Sequence, residues 1–468
     1  KDKINGTFSF FDRIIIKGHI LQFFSTSGKN YFLSEKNILL KDFSSYANQV
    51  TNDLVAHVEN FTASQNRPLI YLTSAKTSKE QTAMTVLESN PVEEGLICTL
   101  SVVEYCQTLQ PVKKSDGKLE LSTVNRKCKY YYFYFIDKNF GFMHVKLQTW
   151  FPFLIQVYVN GREMMKHVFD ENGITYRMYD TSFFEISDIP KAQELADRFD
   201  ARSLCRQLDF FAHKVNPYLD AIEEVFHQGY HWCVDQCEYA TDVMFKSRNA
   251  LEDIYPSLVG HAFYDFKCTD VFSFLGRKLN AKFLGEAVSD YRKRPEGWRI
   301  KFKMKSNSIK MYDKFSSLRI EMTINDPKEF KVFKDVHHRD GTTSKRWVPM
   351  GKSIANLYRY AEISKAANKR FLDSMQNIIP VKSLEKEINR LCSCMKVNGK
   401  SVTGFNVWEP DTFLLLETIS QGKYLIKGFT NRDIRAELFS TKPDTKKQSG
   451  KTSRLLRKLR EHGMIKKI

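Results

Sequence analysis

The sequence predicts a mixed α/β (α+β) multidomain fold, with mixed and antiparallel sheets, packed helices and a compact helical module at the end. Its 468 residues suffice for about two to four domains, each with its own core. Segments with the two-residue periodicity of strands are interspersed with amphipathic helices. We expect five regions, which are an N-terminal α/β domain (1–200), a helical connector (201–228), a central α+β domain (229–392), a linker (393–404) and a C-terminal domain (405–468).

The N-terminal region begins with a predicted strand pair around Phe8–Ile20 and a helix over about Phe43–Thr62. Three antiparallel strands are predicted further on, at Cys128–Asp137, Phe142–Trp150 and Phe153–Val159. The aromatic run 129–135 lies in the first of these strands. Such a run can stack unpaired bases, but aromatic residues are also good strand formers, and we expect it to form core.

The C-terminal region carries the signals of three successive helices. Thr430 and Asp433 have capping-box spacing at the start of the second helix. The third helix is predicted over about Ser449–His462 and stops before Gly463. Residues 464–468 then read as the start of a strand. This order is typical of a winged-helix DNA-binding module, and the alternative is a three-helix bundle with a solvated basic face.

The third helix also predicts a binding surface. At about 100° per residue, its leucines fall on one side and its basic residues on the other. A cationic stripe of this width fits the major groove of DNA. The residues expected to contact nucleic acid are Lys447, Lys451, Arg454, Arg457, Lys458, Arg432 and Arg435.

The charge balance favours a polyanionic partner. There are 72 Lys and Arg against 54 Asp and Glu, a formal net charge of +18. Residues 400–468 hold 15 of the basic and 7 of the acidic residues, a net charge of +8. Cations that neutralise phosphates release counterions, which drives binding. We expect DNA as partner, with RNA as the alternative and no membrane.

The cysteines and the N-terminus indicate a cytoplasmic protein. Nine cysteines are spread over a long chain without CxxC spacing, which is typical of reduced thiols. No apolar segment has the length of a membrane span, and Lys1–Ile20 does not read as a signal peptide. His231, Cys233 and Cys237 resemble zinc ligands in type, but a half-buried strand explains them better.

The central region contains the clearest candidate site. A strand over Tyr230–Met244 would place Glu238 and Asp242 on one face. A hairpin of Ser308–Lys314 and Leu318–Ile324, with Ser316 and Ser317 as its turn, pairs Tyr312 with Glu321 and Lys314 with Arg319. Its second face is largely apolar, with Asp313 as the exception.

These charged side chains are of the types used in metal-dependent phosphoryl chemistry. Carboxylates on neighbouring strands can hold Mg²⁺ or Mn²⁺ through oxygen ligands, and lysines beside them can hold a phosphate. We expect Asp242, Glu238 and Glu321 as metal ligands, with Lys310 and Lys314 as phosphate contacts. The alternative is a salt-bridged, solvated sheet face.

The segments Tyr312-Asp313-Lys314 and Leu318-Arg319-Ile320-Glu321 resemble a strand pair of rolling-circle replication initiators (relaxase-like) of plasmids and phages. The resemblance covers about a fifth of the chain and lacks the family's His-hydrophobe-His metal motif, since His337 and His338 are adjacent. It implies that Glu321 binds metal and that a helix tyrosine, Tyr358 or Tyr360, attacks one DNA strand. Packing of Tyr358 in its helix is the alternative.

A second enzymatic interpretation uses the N-terminal region. Asp12 lies in the middle of the first strand, and the order of the following elements resembles RNase H-like nucleases and transposases. Glu104, late in the predicted strand Gly95–Tyr105, is the candidate second ligand. A simple ion pair of Asp12 with Arg13 is the alternative.

The sequence as a whole therefore predicts a nucleic-acid-binding protein of a mobile element, plasmid or phage. The first hypothesis is a metal-dependent DNA-nicking initiator or recombinase. The second is a non-catalytic DNA- or RNA-binding component of a nucleoprotein complex.

Overall fold

The computed structural model describes residues 3–277, 286–294, 297–337, 341–375, 384–397, 399–421, 424, 428–439 and 446–467. It is mixed α/β, which confirms the predicted fold class. The chain forms two compact units, Lys1–Ile378 and Ile379–Ile468.

Seventeen strands are present in the described part of the chain. They are β1 (Ile4–His19), β2 (Leu69–Leu72), β3 (Gly95–Lys113), β4 (Leu119–Asp137), β5 (Gly141–Gln148), β6 (Ile155–Asn160), β7 (Tyr176–Tyr179), β8 (Ser182–Ile186), β9 (His231–Phe245), β10 (Ala287–Arg294), β11 (Gly297–Met304), β12 (Asn307–Lys314), β13 (Ser317–Ile324), β14 (Lys331–His337), β15 (Thr343–Pro349), β16 (Met395–Val397) and β17 (Lys400–Val402).

The same described residues contain fifteen α-helices. They are α1 (Thr26–Glu35), α2 (Phe43–Ser64), α3 (Lys79–Ser89), α4 (Gly161–Glu171), α5 (Ile189–Asp197), α6 (Ala201–Val215), α7 (Leu219–Phe226), α8 (Arg248–Glu252), α9 (Tyr255–Tyr264), α10 (Cys268–Phe274), α11 (Leu357–Ser374), α12 (Leu384–Cys392), α13 (Pro410–Ile419), α14 (Asn431–Leu438) and α15 (Lys446–Glu461).

One eleven-stranded sheet organises the first unit, in the order β10-β11-β12-β13-β9-β1-β6-β5-β4-β3-β2. β1 is the middle strand and pairs with β6 on one side and β9 on the other. The predicted strand pair around Phe8–Ile20 is therefore wrong, since this segment forms a single strand. The predicted separation of the N-terminal and central domains near residue 200 is wrong as well, because the sheet continues through β1 from one region to the other.

The predicted strand pair in the central region is present, but its register differs by two residues. The turn is formed by Phe315 and Ser316, and Phe315 has a φ of 62°. Lys310 therefore lies opposite Glu321, where the sequence predicted Tyr312 in that position. A two-residue shift keeps every side chain on its predicted face, so the charged and apolar faces are as expected while the individual pairs are not.

Different elements cover the two faces of the sheet around β9. On one face, α11 packs over Tyr239 and the apolar residues of β12 and β13. Asn368 of α11 donates to the backbone carbonyl of Tyr239 and to Thr241 Oγ1. The other face carries Ala240 and Met244, which pack in a separate core with α4, α5 and the hairpin β7–β8.

Gly161 brings helix α4 close to β1. A Cβ atom at this position would lie 1.9 Å from the backbone oxygen of Phe11. Only a residue without a side chain fits such a close approach. As a result, Arg162, the second residue of the helix, is held beside Asp12.

The second unit contains the three predicted helices around a small core of Leu415, Ile434 and Leu459. Thr430 and Asp433 form the predicted capping box. The predicted third helix begins three residues earlier, at Lys446. Residues 464–467 form no strand, and the hairpin of this unit, β16–β17, precedes the first of the three helices. The predicted wing is therefore not found among the described residues, and Ile468, the last residue of that predicted strand, lies outside them.

Candidate functional site

Three carboxylates from three neighbouring strands converge on one face of the sheet. Asp12 belongs to β1, Glu238 to β9 and Glu321 to β13, and one oxygen of each lies within 4.8 Å of the others. All three residues are buried, with exposed fractions of 4–5%. We call these three residues the acidic cluster. Three carboxylates at this spacing could hold a divalent cation through oxygen ligands.

An irregularity in β1 brings Asp12 into this cluster. The pairing of β1 with β9 shifts between Phe11 and Arg13, so that Asp12 has no direct partner on β9. Consecutive residues of a regular strand point to opposite faces. Here Asp12 contacts Arg319, and its neighbour Arg13 contacts Glu238, so both contribute to the same site. Redirecting a side chain in this way is a typical effect of a β-bulge.

Lys310 links two carboxylates of the acidic cluster. Its Nζ atom lies 2.5 Å from Glu321 Oε1 and 3.2 Å from Glu238 Oε1. Burial alone would lower the pKa of Lys310, but the carboxylates of Glu321 and Glu238 raise it above its usual value. The lysine therefore stays charged, and it compensates the negative charge of the cluster.

Arg319 links the acidic cluster to Asp242. Its Nη2 atom lies 2.8 Å from Asp12 Oδ1, and its Nη1 atom lies 3.2 Å from Asp242 Oδ1. Nη1 also donates to the backbone carbonyl of Thr181, at 2.7 Å. Asp242 Oδ2 accepts a hydrogen bond from the backbone N–H of Phe183. The fully buried arginine therefore connects β13 to β1, to β9 and to the hairpin β7–β8.

The charges in and around the acidic cluster balance. Two further cations complete the set, since Arg13 Nη2 lies 2.7 Å from Glu238 Oε1 and Arg162 Nη1 lies 3.3 Å from Asp12 Oδ1. Burying charges is costly unless each has an opposite partner, and the alternation of signs meets this condition. The network has four carboxylates and four cations, which are Asp12, Asp242, Glu238, Glu321, Arg13, Arg162, Lys310 and Arg319.

The environment moves the pKa values of the carboxylates in opposite directions. Burial raises the pKa of Glu321, and the nearby carboxylate of Glu238 raises it further. Burial would also raise the pKa of Asp12, but the guanidinium groups of Arg319 and Arg162 hold it below its usual value. Burial raises the pKa of Asp242 to about 6 despite its contact with Arg319. Such divergence is frequent at functional sites and also occurs in structural ion networks.

A row of basic residues continues this face beyond the acidic cluster. Arg299 lies opposite Tyr312, and Lys301 lies opposite Lys310, so these two β11 residues share the face of the cluster. Burial lowers the pKa of Lys301, and the positive charges of Lys310 and Arg299 lower it further. Asp290 of β10 compensates part of this charge, since its Oδ2 accepts a hydrogen bond from Arg299 Nη2 at 2.8 Å.

The structure brings together only some of the predicted catalytic residues. Glu238, Glu321 and Lys310 meet as expected, but Asp12 takes the place predicted for Asp242 among the converging carboxylates. Lys314 Nζ lies 2.5 Å from Asp180 Oδ2 and so contacts the hairpin turn. Its predicted role as a second phosphate contact has no support in this geometry.

The predicted tyrosine and the second N-terminal carboxylate lie elsewhere. Tyr358 is half exposed on α11, and this helix packs on the opposite face of the sheet from the acidic cluster. Its predicted attack at this metal site is therefore wrong. Glu104 contacts Lys146, Lys79 and Tyr132, so it is not the partner of Asp12 that the RNase H-like interpretation required.

The basic residues predicted to bind nucleic acid differ in their surroundings. Lys458 is turned inward, since Nζ donates to the backbone carbonyl of Gly404 and lies 4.2 Å from the ring centroid of Phe405. Its predicted place in the cationic stripe is therefore wrong. Arg435 is half-buried. Exposed positions are held by Arg432, Lys447, Lys451, Arg454 and Arg457.

No role in the site was predicted for Arg319 or Arg162, although Arg319 was expected opposite Lys314. Arg319 stands between Leu318 and Ile320 in a strand whose residues are all buried. An arginine in such a strand needs a buried acidic partner, which is a signal available from the sequence. Arg162 gave no such signal, because its contact with Asp12 depends on the close packing of α4 against β1.

No protein-family model, curated protein or solved structure matches this chain. Across the described residues, none of the helices combines the length and the apolar character that crossing a membrane requires.

Proposed function

We propose that this chain binds nucleic acid and cleaves phosphodiester bonds with a divalent cation, Mg²⁺ or Mn²⁺, held by Asp12, Glu238 and Glu321. The observation that carries the proposal is the convergence of these three carboxylates within 4.8 Å, from three adjacent strands. Carboxylate oxygens are the preferred ligands of both cations. This keeps the metal-dependent cleavage expected from the sequence, with Asp12 in place of Asp242 and water in place of the attacking tyrosine.

The surrounding cations suit a phosphate substrate. Lys310 and Arg13 compensate the carboxylates when no metal is bound. Arg13 retains an exposed side-chain fraction of 37% and lies at the accessible edge of the cluster. A divalent cation bound by the carboxylates would free these two side chains to contact phosphate oxygens, which Lys and Arg bind well.

The reaction supported by this arrangement is hydrolysis. Held by Asp12, Glu238 and Glu321, the cation would lower the pKa of a water molecule. The oxygen of that water would form the new bond to phosphorus as one phosphorus–oxygen ester bond breaks, and its proton would go to solvent. The released alkoxide takes a proton from solvent. The lysine and arginine side chains stabilise the charge that develops on the phosphate oxygens.

The test is a cleavage assay with the full chain. Labelled single-stranded and duplex DNA are incubated with Mg²⁺ or Mn²⁺, and nicks are scored on denaturing gels. We expect cleavage by the wild type and loss of cleavage in Asp12→Asn, Glu238→Gln and Glu321→Gln. The matched control is Asp235→Asn, because Asp235 also lies on β9 but pairs with Lys17 and Lys352 outside the cluster.

Metal binding is measured independently of cleavage. Titration of Mn²⁺ followed by electron paramagnetic resonance should give one site in the wild type and in Asp235→Asn, and none in Glu238→Gln. Absence of both Mn²⁺ binding and cleavage in the folded wild type would overturn the proposal.

A specific observation favours a second candidate function, which is binding without catalysis. Each carboxylate of the acidic cluster already has a cation within 3.3 Å, and each is about 95% buried. A network of this kind stabilises a sheet without any metal. Under this second function, the protein binds DNA or RNA through its exposed basic residues, and no variant of the acidic cluster alters affinity beyond its effect on folding.

A further inference from the structure

The hairpin β14–β15 exposes an aromatic pair. It forms a two-stranded sheet of its own, separate from the eleven-stranded sheet. Phe333 lies opposite Trp347, and their ring centroids are 5.5 Å apart. The exposed fractions are 49% for Phe333 and 55% for Trp347. Large aromatic side chains with this exposure commonly mark a binding surface.

The base of the hairpin is fixed, so the aromatic pair is held in place. Val332 is buried, and the backbone N–H of Met350 donates to the carbonyl of Phe330. Arg359 of α11 donates from Nε to the backbone carbonyl of Lys331, and its guanidinium lies 5.1 Å from the ring centroid of Trp347. A two-stranded hairpin alone is marginally stable in water, and these contacts supply the support it needs.

Basic residues surround the aromatic pair. A pocket of about 570 Å³ adjoins Trp347. Five basic and two acidic residues line it, which are Arg277, Lys328, Lys331, Arg359, Arg370, Glu329 and Glu362. On the face of the hairpin that carries the rings, Lys345 is exposed opposite Asp335, whereas Lys334 and Arg346 lie opposite each other on the other face. The surface therefore combines exposed rings with an excess of positive charge.

We propose that this surface binds single-stranded nucleic acid, with unpaired bases stacked on Trp347 and Phe333 and the phosphates held by the surrounding cations. Base stacking on exposed aromatic side chains beside a basic groove is the common mode of single-strand recognition. Paired bases in a duplex do not offer their faces for such stacking. The surface is separate from the acidic cluster. Arg359, which contacts Trp347, lies on α11, and this helix packs on the face of the sheet opposite the acidic cluster.

The test measures the affinity of the full chain for short oligomers by fluorescence anisotropy. We use oligo-dT and oligo-U as the single-strand probes and a duplex of equal length. Trp347→Ala should weaken single-strand binding about tenfold or more and change duplex binding less than about threefold. Trp347→Phe keeps a ring for stacking, so its affinity should stay within about threefold of the wild type.

The matched control is Trp408→Ala, which removes a 90% exposed indole from the other unit. We expect its single-strand affinity to equal that of the wild type. Lys331→Ala combined with Lys345→Ala should lower single-strand affinity and reduce the dependence of binding on salt. Thermal unfolding confirms that the variants are folded.

Three outcomes would overturn the inference. They are single-strand affinity unchanged in folded Trp347→Ala, equal losses for single strand and duplex, and a loss in Trp408→Ala as large as that in Trp347→Ala. Comparison of oligo-dT with oligo-U then assigns the natural ligand to DNA or RNA. None of these readouts depends on cleavage, so failure here is distinct from failure of the proposed metal site.

Discussion

Lys310 lies directly opposite Glu321 in the sheet, and its ammonium group contacts the carboxylates of both Glu321 and Glu238. The three side chains come from three adjacent strands, β12, β13 and β9, and all are buried. The lysine therefore neutralises negative charge that the interior would otherwise not tolerate. This relationship sets the expected effects of substitutions in the acidic cluster.

Removing the charge of Lys310 should destabilise the fold. We expect Lys310→Met to lower the free energy of unfolding by about 3–5 kcal/mol, because it leaves two buried carboxylates without this partner. Urea denaturation measures the change. The control is Lys301→Met, which removes a partly buried lysine on the neighbouring strand and relieves repulsion with Lys310. Its expected change is within about 1 kcal/mol, and equal losses in both variants would contradict the role of Lys310.

Arg319 and Asp242 should be energetically coupled. Arg319→Met removes the contacts with Asp12, Asp242 and the carbonyl of Thr181, and we expect a loss of about 3–5 kcal/mol. The loss in the double variant Arg319→Met with Asp242→Asn should be smaller than the sum of the two single losses. The difference, the coupling energy, should be about 1–3 kcal/mol. A double-mutant cycle by chemical denaturation checks this. Strictly additive effects would show that the contact between Arg319 and Asp242 contributes no net stability.

The pH dependence of stability should report on Asp242. Its pKa is about 6 in the folded protein and 3.8 ordinarily. Between these values the folded state holds a proton that the unfolded state has lost, so the free energy of unfolding rises as pH falls. We expect the wild type to gain on the order of 2–3 kcal/mol relative to Asp242→Asn between pH 6 and pH 4.

Asp235→Asn is the control for this pH effect. Burial would raise the pKa of Asp235, but hydrogen bonds from Lys17 and Lys352 hold it below its usual value. The stability that the Asp235 carboxylate contributes is fully present above the pKa that this group has in the unfolded state. It is lost as the pH falls through the lower pKa that the group has in the folded state. The difference between the wild type and Asp235→Asn should therefore be nearly constant from pH 6 to pH 4. A pH-independent difference for Asp242→Asn would rule out its raised pKa.

The exposed arginines of α15 should contribute to duplex binding, and Lys458 should not. Arg454→Ala combined with Arg457→Ala removes two exposed cations, and we expect the slope of log affinity against log salt to become shallower by about 2. Lys458→Ala should change affinity less than about twofold and lower stability by about 1–2 kcal/mol, because it loses the contacts with Gly404 and Phe405. Titrations at several salt concentrations, with thermal unfolding alongside, distinguish the two effects.

The periodicity of the sequence was sufficient to predict the faces of β9, β12 and β13. The pairs between strands were not predictable, because the turn consists of Phe315, with a positive φ, and Ser316 instead of Ser316 and Ser317. A two-residue slip preserves the face of every side chain, so face patterns alone cannot detect it. Glu238, Glu321 and Lys310 were therefore predicted as neighbours, while the pairing of Lys310 with Glu321 required the structure.

Long-range pairing explains most of the remaining differences. Asp12 reaches the acidic cluster because β1 lies beside β9, more than 200 residues away, and because a bulge redirects its side chain. Neither fact has a local signature in the sequence. Helical periodicity alone places Lys458 in the cationic stripe. It cannot show that Phe405, about fifty residues earlier, attracts the ammonium group of this lysine.

The position of β1 in the middle of the sheet limits which fragments of the chain can fold on their own. Five strands lie on each side of it in the sheet, and residues 4–19 supply the hydrogen bonds that join the two halves. A fragment lacking these residues would expose the unpaired edges of β6 and of the fifteen-residue β9, and such edges are sites of aggregation. During synthesis, this first segment must also wait for β9 to emerge from the ribosome before its second edge is covered.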